Sequence, residues 1–522
     1  MTTPTAQRGA GESTYVDYCL QALRRRGTDI AFVHHDRTLT GFEALELTAR
    51  MAAALAARGL TAGAGFAVLA GNCPEAYLIQ LAGQTLGARH TGLHPLASAD
   101  DQAFVLDDAQ IHIFVYDPRT YAGRAEELIA RLSFGQVFSL GPGPVGEDLL
   151  ARTDSADALE PVARPDDIAT IFYTGGTTGR SKGVVHTHRS LVFSALLVQA
   201  NWEWPAEVTL LLISPITHAA GQMIAPALAR GGRVVLLEKF DPATVLETIE
   251  SERVSVTFLV PTMLYALLDH PDIGTRDLSS IATIVYGAAP ISSIRLQQAR
   301  ARFGEVLLQG YGQTEIGVGA LLLAKADHDP GRPARLSATG RAPAGIDVSI
   351  RDDDDAAVPP GGTGEICLRG APVMSGYWRQ PELTASVLHG GWLHTGDIGS
   401  ADADGYVTLV DRKKDMIVSG GFNVYPKEVE EALITHPGVK DVAVIGIPDS
   451  TWGEAVHAVV EIEPGRPVTA DALIAHVRDR KGPVNTPKSF EFVDALPQTA
   501  LGKIDKKALR QRFWATQARA IH

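Results

Sequence analysis

Between residues 173 and 184 the sequence reads YTGGTTGRSKGV. Thr174, Thr177 and Thr178 supply hydroxyls, and Gly175, Gly176 and Gly179 let backbone N–H groups approach an oxygen closely. Lys182 adds a positive charge. Together these groups suit a phosphate-bearing ligand. The Walker A spacing (Gly, four residues, then Gly-Lys-Ser/Thr) is absent in every register, so the nucleotide chemistry is of another kind. The stretch follows the apolar run IATIFYT and precedes the helical pattern HRSLVFSALLVQA, a strand–loop–helix setting that favours phosphate binding. His186 and His188, two residues apart, belong to the start of that helix rather than to a metal site.

Further stretches carry candidate chemistry: SPITHAAG at 214–221, YGAAP at 286–290, YGQTE at 311–315, TGD at 395–397, DRKKDMIVSGG at 411–421 and LPQTALGKIDKKALR at 496–510. Each is ambiguous alone. Tyr311 and Glu315 read equally as a core ring and a solvent-facing carboxylate, and Asp397 after Thr-Gly as an ordinary turn. In this order and spacing, with the opening loop, they resemble the adenylate-forming superfamily of acyl- and aryl-CoA ligases, luciferases and peptide-synthetase adenylation domains. The resemblance runs from the helix at 40–58 to Arg510. The loop departs twice from the commonest family form, YTSGTTGxPKGV: Gly175 replaces serine and Ser181 replaces proline.

A carboxylate is a poor electrophile at neutral pH, so joining it to a thiol or amine requires activation. The resemblance implies attack of the carboxylate on the α-phosphate of ATP, loss of pyrophosphate, and displacement of AMP from the acyl-AMP by a nucleophile. It assigns the loop 173–184 to the β- and γ-phosphates. It places Tyr311 against adenine, Thr314 on the α-phosphate and Glu315 on Mg²⁺, a cation that takes hard oxygen ligands and few protein contacts. Asp397 and Arg412 would fix the ribose. Gly287, Ala288, Ala289 and Pro290 would form part of the adenine site and one wall of the acyl pocket. Lys503 would reach the α-phosphate and the substrate carboxylate, while Lys506 and Lys507 stay solvated. Lys414 matches a hinge about which the C-terminal region swings, bringing Ser419, Gly420 and Gly421 to pass the pantetheine arm of coenzyme A.

Amino-acid-activating relatives carry an aspartate near His218 to pair the substrate ammonium. His218 beside Ala219, Ala220 and Gly221 offers no such countercharge, so a plain carboxylic acid is favoured over an amino acid; the alternative reading of His218 is a packed core histidine. Gly287, Ala288, Gln309, Gly310 and Gly317 leave room for a medium aliphatic, aromatic or alicyclic acyl group. Three functions compete: an acyl-CoA ligase using ATP, Mg²⁺ and coenzyme A; an amide ligase passing the acyl-AMP to an amine or amino acid; and a non-catalytic binding module, which Glu315, Lys503 and Arg412 disfavour.

The elements that must position these groups are legible too. At 522 residues the chain exceeds one ordinary core, and 45% apolar with 20% charged residues is a globular composition. Apolar runs at 66–71, 111–116, 168–174, 232–238, 254–260 and 281–287 alternate with amphipathic segments, predicting α/β architecture with buried, largely parallel strands. Thr40 and Glu43 stand in capping-box spacing before a helix that closes on Gly59. From about 340, Gly/Pro-rich alternating segments predict a small β subdomain, with DDDD at 352–355 as a solvated hairpin end. After Arg412 a small, mobile α+β domain is expected, dividing the chain into 1–411 and 412–522.

A net charge of −13 argues against nucleic-acid and anionic-membrane binding. Cys19, Cys73 and Cys367 follow no metal spacing. No signal-peptide core and no long apolar run occur, so a free-standing cytoplasmic monomer or homodimer without a membrane segment is expected.

Overall fold

The computed structural model describes residues 13–152, 159–174, 181–289, 291, 293–412, 415–419, 422–449, 452–499 and 503–514. Of the candidate site residues, Gly175, Gly176, Thr177, Thr178, Gly179, Pro290, Lys414, Gly420 and Gly421 lie outside them.

Two eight-stranded sheets form the large N-terminal part. The first runs Gly317–Leu323, Leu307–Gln313, Thr283–Gly287, Val256–Leu259, Thr209–Leu212, Arg233–Leu236, Ile30–His34, Arg37–Thr40. Its interior pairs are parallel and only the pairs at its two ends are antiparallel. The second runs Gly376–Tyr377, Lys182–Thr187, Ile168–Thr174, Arg89–Gly92, Gly65–Leu69, Ile111–Tyr116, Gln136–Ser139, Glu147–Asp148. The predicted strands are present, several trimmed by a residue or two. They read as unbroken apolar runs because both faces of a parallel sheet are covered.

One core joins the sheets: Phe32, Leu210 and Val234 of the first pack with Phe66, Val68 and Ile113 of the second, through the helices Tyr15–Arg26 and Pro74–Thr85. The capping box is formed. Thr40 Oγ1 accepts from the Glu43 N–H and the Glu43 carboxylate accepts from the Thr40 N–H, opening the helix Gly41–Ala57. A five-stranded antiparallel sheet built on Ile346–Arg351, Thr363–Gly370 and Trp392–Ala401 is the small β subdomain. A last sheet, centred on Val439–Asp449 and Gly453–Ile462, packs against the helices Pro426–Ile434 and Ala470–Lys481 as a small C-terminal domain.

In one place the local context differs from expectation. The phosphate loop does not run directly into a helix, because KGVVHT forms a strand antiparallel to Ile168–Thr174, with Thr174 opposite Lys182. The β-branched valines favour the pleat, so Lys182–Thr187 pairs with Ile168–Thr174 and the helix His188–Asn201 starts one strand later.

Candidate active site

In a parallel sheet the carboxyl ends of the strands all lie on one side, and ligand clefts form outside them. Here the carboxyl ends of both sheets, the β subdomain and the C-terminal domain enclose a cleft of about 3490 Å³. Thr174, Lys182, His218, Gly287, Ala288, Ala289, Gln309, Gly310, Tyr311, Thr314, Glu315, Gly317, Asp397 and Lys503 all line it. Residues more than 300 positions apart in sequence thus share one wall.

Tyr311 and Gln313 lie on the strand Leu307–Gln313 and reach toward Trp392–Ala401. The Tyr311 hydroxyl donates to Asp397 Oδ2 at 2.7 Å and Gln313 Nε2 donates to the same oxygen at 2.6 Å. Asp397 is buried. A buried carboxylate must be paired or hydrogen-bonded, and these donors hold it in place. Arg412 stands opposite Asp397 in the antiparallel ladder, and its side chain lies outside the described residues.

Thr314 and Glu315 form the turn that follows. The Glu315 carbonyl accepts from the Met374 N–H at 2.8 Å, and Glu315 Oε1 accepts from the Tyr377 hydroxyl at 2.8 Å. Burial, then the neighbouring Glu315 charge, keeps the Tyr377 phenol protonated well above its ordinary range. The Lys182 ammonium lies 5.3 Å from the centre of the Tyr377 ring. One aromatic side chain therefore bridges the phosphate hairpin and the Glu315 turn.

His218 follows the strand Thr209–Leu212 and carries the start of a short 3₁₀ turn. Its Nδ1 lies 2.8 Å from the Thr217 hydroxyl. Burial, then His94 and the Lys503 charge, lowers its pKa to about 4, so the ring is neutral at pH 7. Lys503, from the C-terminal domain, thus lines the same cleft as His218 and its charge acts on that ring. Ser419 stands elsewhere: it is buried in the strand Ile417–Ser419 and is not part of the cleft lining.

Residues 20–378 match the AMP-binding enzyme family, and residues 428–503 match the AMP-binding enzyme C-terminal domain. The chain belongs to the AMP-binding enzyme family. It is 42% identical over 517 residues to the medium/long-chain-fatty-acid–CoA ligase FadD8 of Mycobacterium tuberculosis, covering 96% of this chain and 90% of that one. It is 39% identical over 487 residues to a feruloyl-CoA synthase of an Amycolatopsis species, covering 92% and 95%. Among solved structures it superposes on the amide bond synthetase McbA of Marinactinospora thermotolerans with a TM-score of 0.88 and 37% identity, covering 96% of this chain and all of that one.

Three features of this AMP-binding enzyme escape its motifs. His186, grouped in sequence with the helix start, sits on the strand Lys182–Thr187 and points at the Thr314–Glu315 turn: its Nε2 donates to the Thr314 carbonyl at 2.7 Å. Only His188 opens the helix. His94 meets His218 edge-on, ring centres 4.8 Å apart, and its Nδ1 accepts from the Leu96 N–H at 3.1 Å. Asn72, buried after the strand Gly65–Leu69, is a clamp. Its amide nitrogen lies within 3.1 Å of the carbonyls of Ile213, Ser214 and Leu237, and its oxygen accepts from the Ile216 N–H, fixing the segment that leads to His218. A lone His or Asn carries no sequence signal for such roles. Lys506 corrects the expectation of a solvated side chain. It pairs with Glu430 at 2.7 Å, and although burial opposes its charge, Glu430 and Asp411 hold its pKa above the ordinary value.

The AMP-binding enzymes' expected Mg²⁺ fits the donor set. Glu315 faces the cleft beside Thr314 with one oxygen on Tyr377, and Mg²⁺ is commonly held by one or two carboxylates together with substrate phosphates.

Proposed function

We propose that the protein is an AMP-forming acyl-CoA ligase: it activates a carboxylic acid with ATP as an acyl-AMP and transfers the acyl group to coenzyme A. The observation that carries this reading is the convergence of Lys503, from the C-terminal domain, on the cleft that holds Thr314, Glu315, Asp397 and a neutral His218. Fatty-acid and feruloyl relatives across nearly the whole chain support the thiol acceptor.

In the first half-reaction a carboxylate oxygen attacks the α-phosphorus and the bond to the β-phosphate breaks, releasing pyrophosphate. The chain's work is positioning and charge stabilisation. Asp397, held by Tyr311 and Gln313, orients the ribose. The Thr314 hydroxyl donates to the α-phosphate. Lys503 sits where the two anionic reactants meet, and Lys182 with Thr174 receives the departing pyrophosphate. Glu315 would hold Mg²⁺, which supplies further neutralisation of phosphoryl charge. His218 brings no positive charge and no ammonium-pairing anion, so an uncharged acyl body fits there. In the second half-reaction the thiolate attacks the acyl carbonyl and AMP leaves.

The division at 411/412 with a hinge at Lys414 belongs to this reading. It is supported by a change of sheet close to that point: the strand Val407–Arg412 pairs with the β subdomain, which keeps Arg412 one residue on the subdomain side, whereas Ile417–Ser419 belongs to the C-terminal sheet. With Lys503 in the cleft and Ser419 outside its lining, the arrangement suits adenylation, and rotation would precede thioester formation. A cytoplasmic location accords with Cys19, Cys73 and Cys367 being buried thiols outside any disulfide. Among the described residues no helix is long and apolar enough to cross a membrane.

The likeness to an amide bond synthetase favours a second reading, in which an amine takes the acyl group. The two separate in one experiment. The protein is incubated with ATP, Mg²⁺ and a panel of carboxylic acids, pyrophosphate is measured, and coenzyme A or amines are then offered with products identified by mass. Thioester formation is expected; amide without thioester would overturn the first reading in favour of the second.

A further inference from the structure

We infer that His34, His35 and Glu238 form a binding site for a borderline divalent transition-metal cation, with Zn²⁺ as the reference ion. The strands Ile30–His34 and Arg233–Leu236 are parallel neighbours, and His34 stands opposite Leu236. Glu238, two residues beyond, thus hangs over the end of the His34 strand. Successive strand residues normally face opposite sides. His35 escapes that rule because its φ of 51° turns the chain left-handed, and the two rings meet with centres 4.3 Å apart.

The resulting geometry is that of a ligand set. His34 Nε2 lies 3.3 Å and His35 Nε2 lies 3.4 Å from the same oxygen, Glu238 Oε1. The three ligand atoms all fall within 4.8 Å of one another. A tetrahedral ion with bonds of about 2.0–2.1 Å separates its ligand atoms by about 3.4 Å. His34 is 2% exposed and its Nε2 has no hydrogen-bond partner. A buried ring nitrogen without a partner is costly, and a bound cation would satisfy it. The side chains of His35 and Glu238 are 61% and 37% exposed, which gives an entry path.

The surrounding charge permits a cation. Arg119 approaches Glu238 at 3.9 Å but is held by Asp117 at 2.8 Å, and Arg37 is held by Glu75 at 2.7 Å. Each guanidinium is thus matched by its own carboxylate, and Glu238 remains for the ion. A second cluster, Asp355 with His389 and His394, is looser at 3.8 and 3.6 Å, and the other nitrogen of His394 already faces Glu365 and Cys367. The three proposed ligands leave one position of a tetrahedron open, on a site whose carboxylate also lines the substrate cleft.

The test uses the untagged full chain, stripped of metal and free of ATP. Zn²⁺ is titrated by calorimetry and Co²⁺ by visible absorption. One saturable site per chain with tetrahedral Co²⁺ bands is expected, together with a rise in Tm on adding Zn²⁺. His35→Asn, which tolerates the left-handed backbone, and Glu238→Gln should each weaken binding by about a hundredfold or more and abolish the Tm rise. His389→Ala should leave both unchanged. Absence of one-to-one binding, unchanged affinity in both ligand variants, or loss of the ion in His389→Ala instead would each overturn the assignment.

Discussion

Replacing His186 with leucine tests whether a residue outside the proposed reacting groups sets the Thr314–Glu315 turn. The Thr314 carbonyl can only accept, so the Nε2 atom 2.7 Å away carries the proton, and Nδ1 faces the Ser190 hydroxyl at 3.0 Å. Burial lowers the ring's pKa to about 4, against the opposing effect of the Thr314 bond, so the neutral donor form prevails at pH 7. His186→Leu removes the donor and leaves the carbonyl unpaired. That costs about 1–3 kcal/mol, or about 5- to 150-fold if it is expressed wholly as misplacement of the Thr314 hydroxyl. The next peptide remains pinned by the Met374 N–H, which limits the displacement. We therefore expect about a tenfold fall in acid-dependent ATP–pyrophosphate exchange. Thioester formation from supplied acyl-AMP should fall less, and His186→Gln, which keeps a donor, should recover part of the loss. An exchange rate unchanged in a correctly folded variant, or equal loss in both half-reactions, would refute the reasoning.

Further predictions follow the same geometry. Gly310→Ala should leave Tm unchanged while raising KM for bulky acids, because an added Cβ meets only Val285 Cγ1 at 3.9 Å and faces the cleft. Gly287→Ala should prevent soluble expression, since its Cβ would lie 2.1 Å from the Gly310 carbonyl oxygen; equal behaviour of the two variants would contradict this account. Lys503→Ala should abolish acyl-AMP formation while sparing thioester formation from supplied acyl-AMP, as read by exchange and by mass; equal loss of both would count against the two-position mechanism. Buried, neutral His90, His186 and His218 have pKa values lowered to about 3, 4 and 4. Each takes up a proton on unfolding below about pH 6.5, so stability is full above that pH and falls as pH drops toward 4. Denaturant titrations should show this slope, and His186→Leu should reduce it by up to about 1.4 kcal/mol per pH unit; an unchanged slope would show that His186 is not a buried neutral group.

Much of this protein is legible in one dimension because its signals are local. Continuous apolar runs announced the parallel strands and the Thr40/Glu43 spacing announced a cap that both side chains complete, while YGQTE, TGD and the Lys503 segment pointed to adenylate chemistry only through their joint resemblance to a family. Pairing is not local. Nothing near KGVVHT says that it closes a hairpin with Thr174, nor near Lys506 that Glu430 waits to take its charge. DDDD reads as a solvated turn and Asp352, Asp353 and Asp354 are exposed in one, but nothing local says that Asp355 faces His389 and His394.

What the sequence determined by itself, then, is chemistry carried by residue types in fixed spacing, and the periodicity that sorts strand from helix. What only the tertiary structure decided is which groups share a cleft and in what charge state. Gly287 and Gly310 looked interchangeable as small pocket residues, but one is needed for close backbone approach and the other has room for a side chain at the cleft wall. His186, Asn72 and His94 became parts of the site only when strands far apart in the chain were laid side by side. The physical reason is that hydrogen bonds, desolvation and packing depend on distances in space, and only the folded sheet order sets those distances.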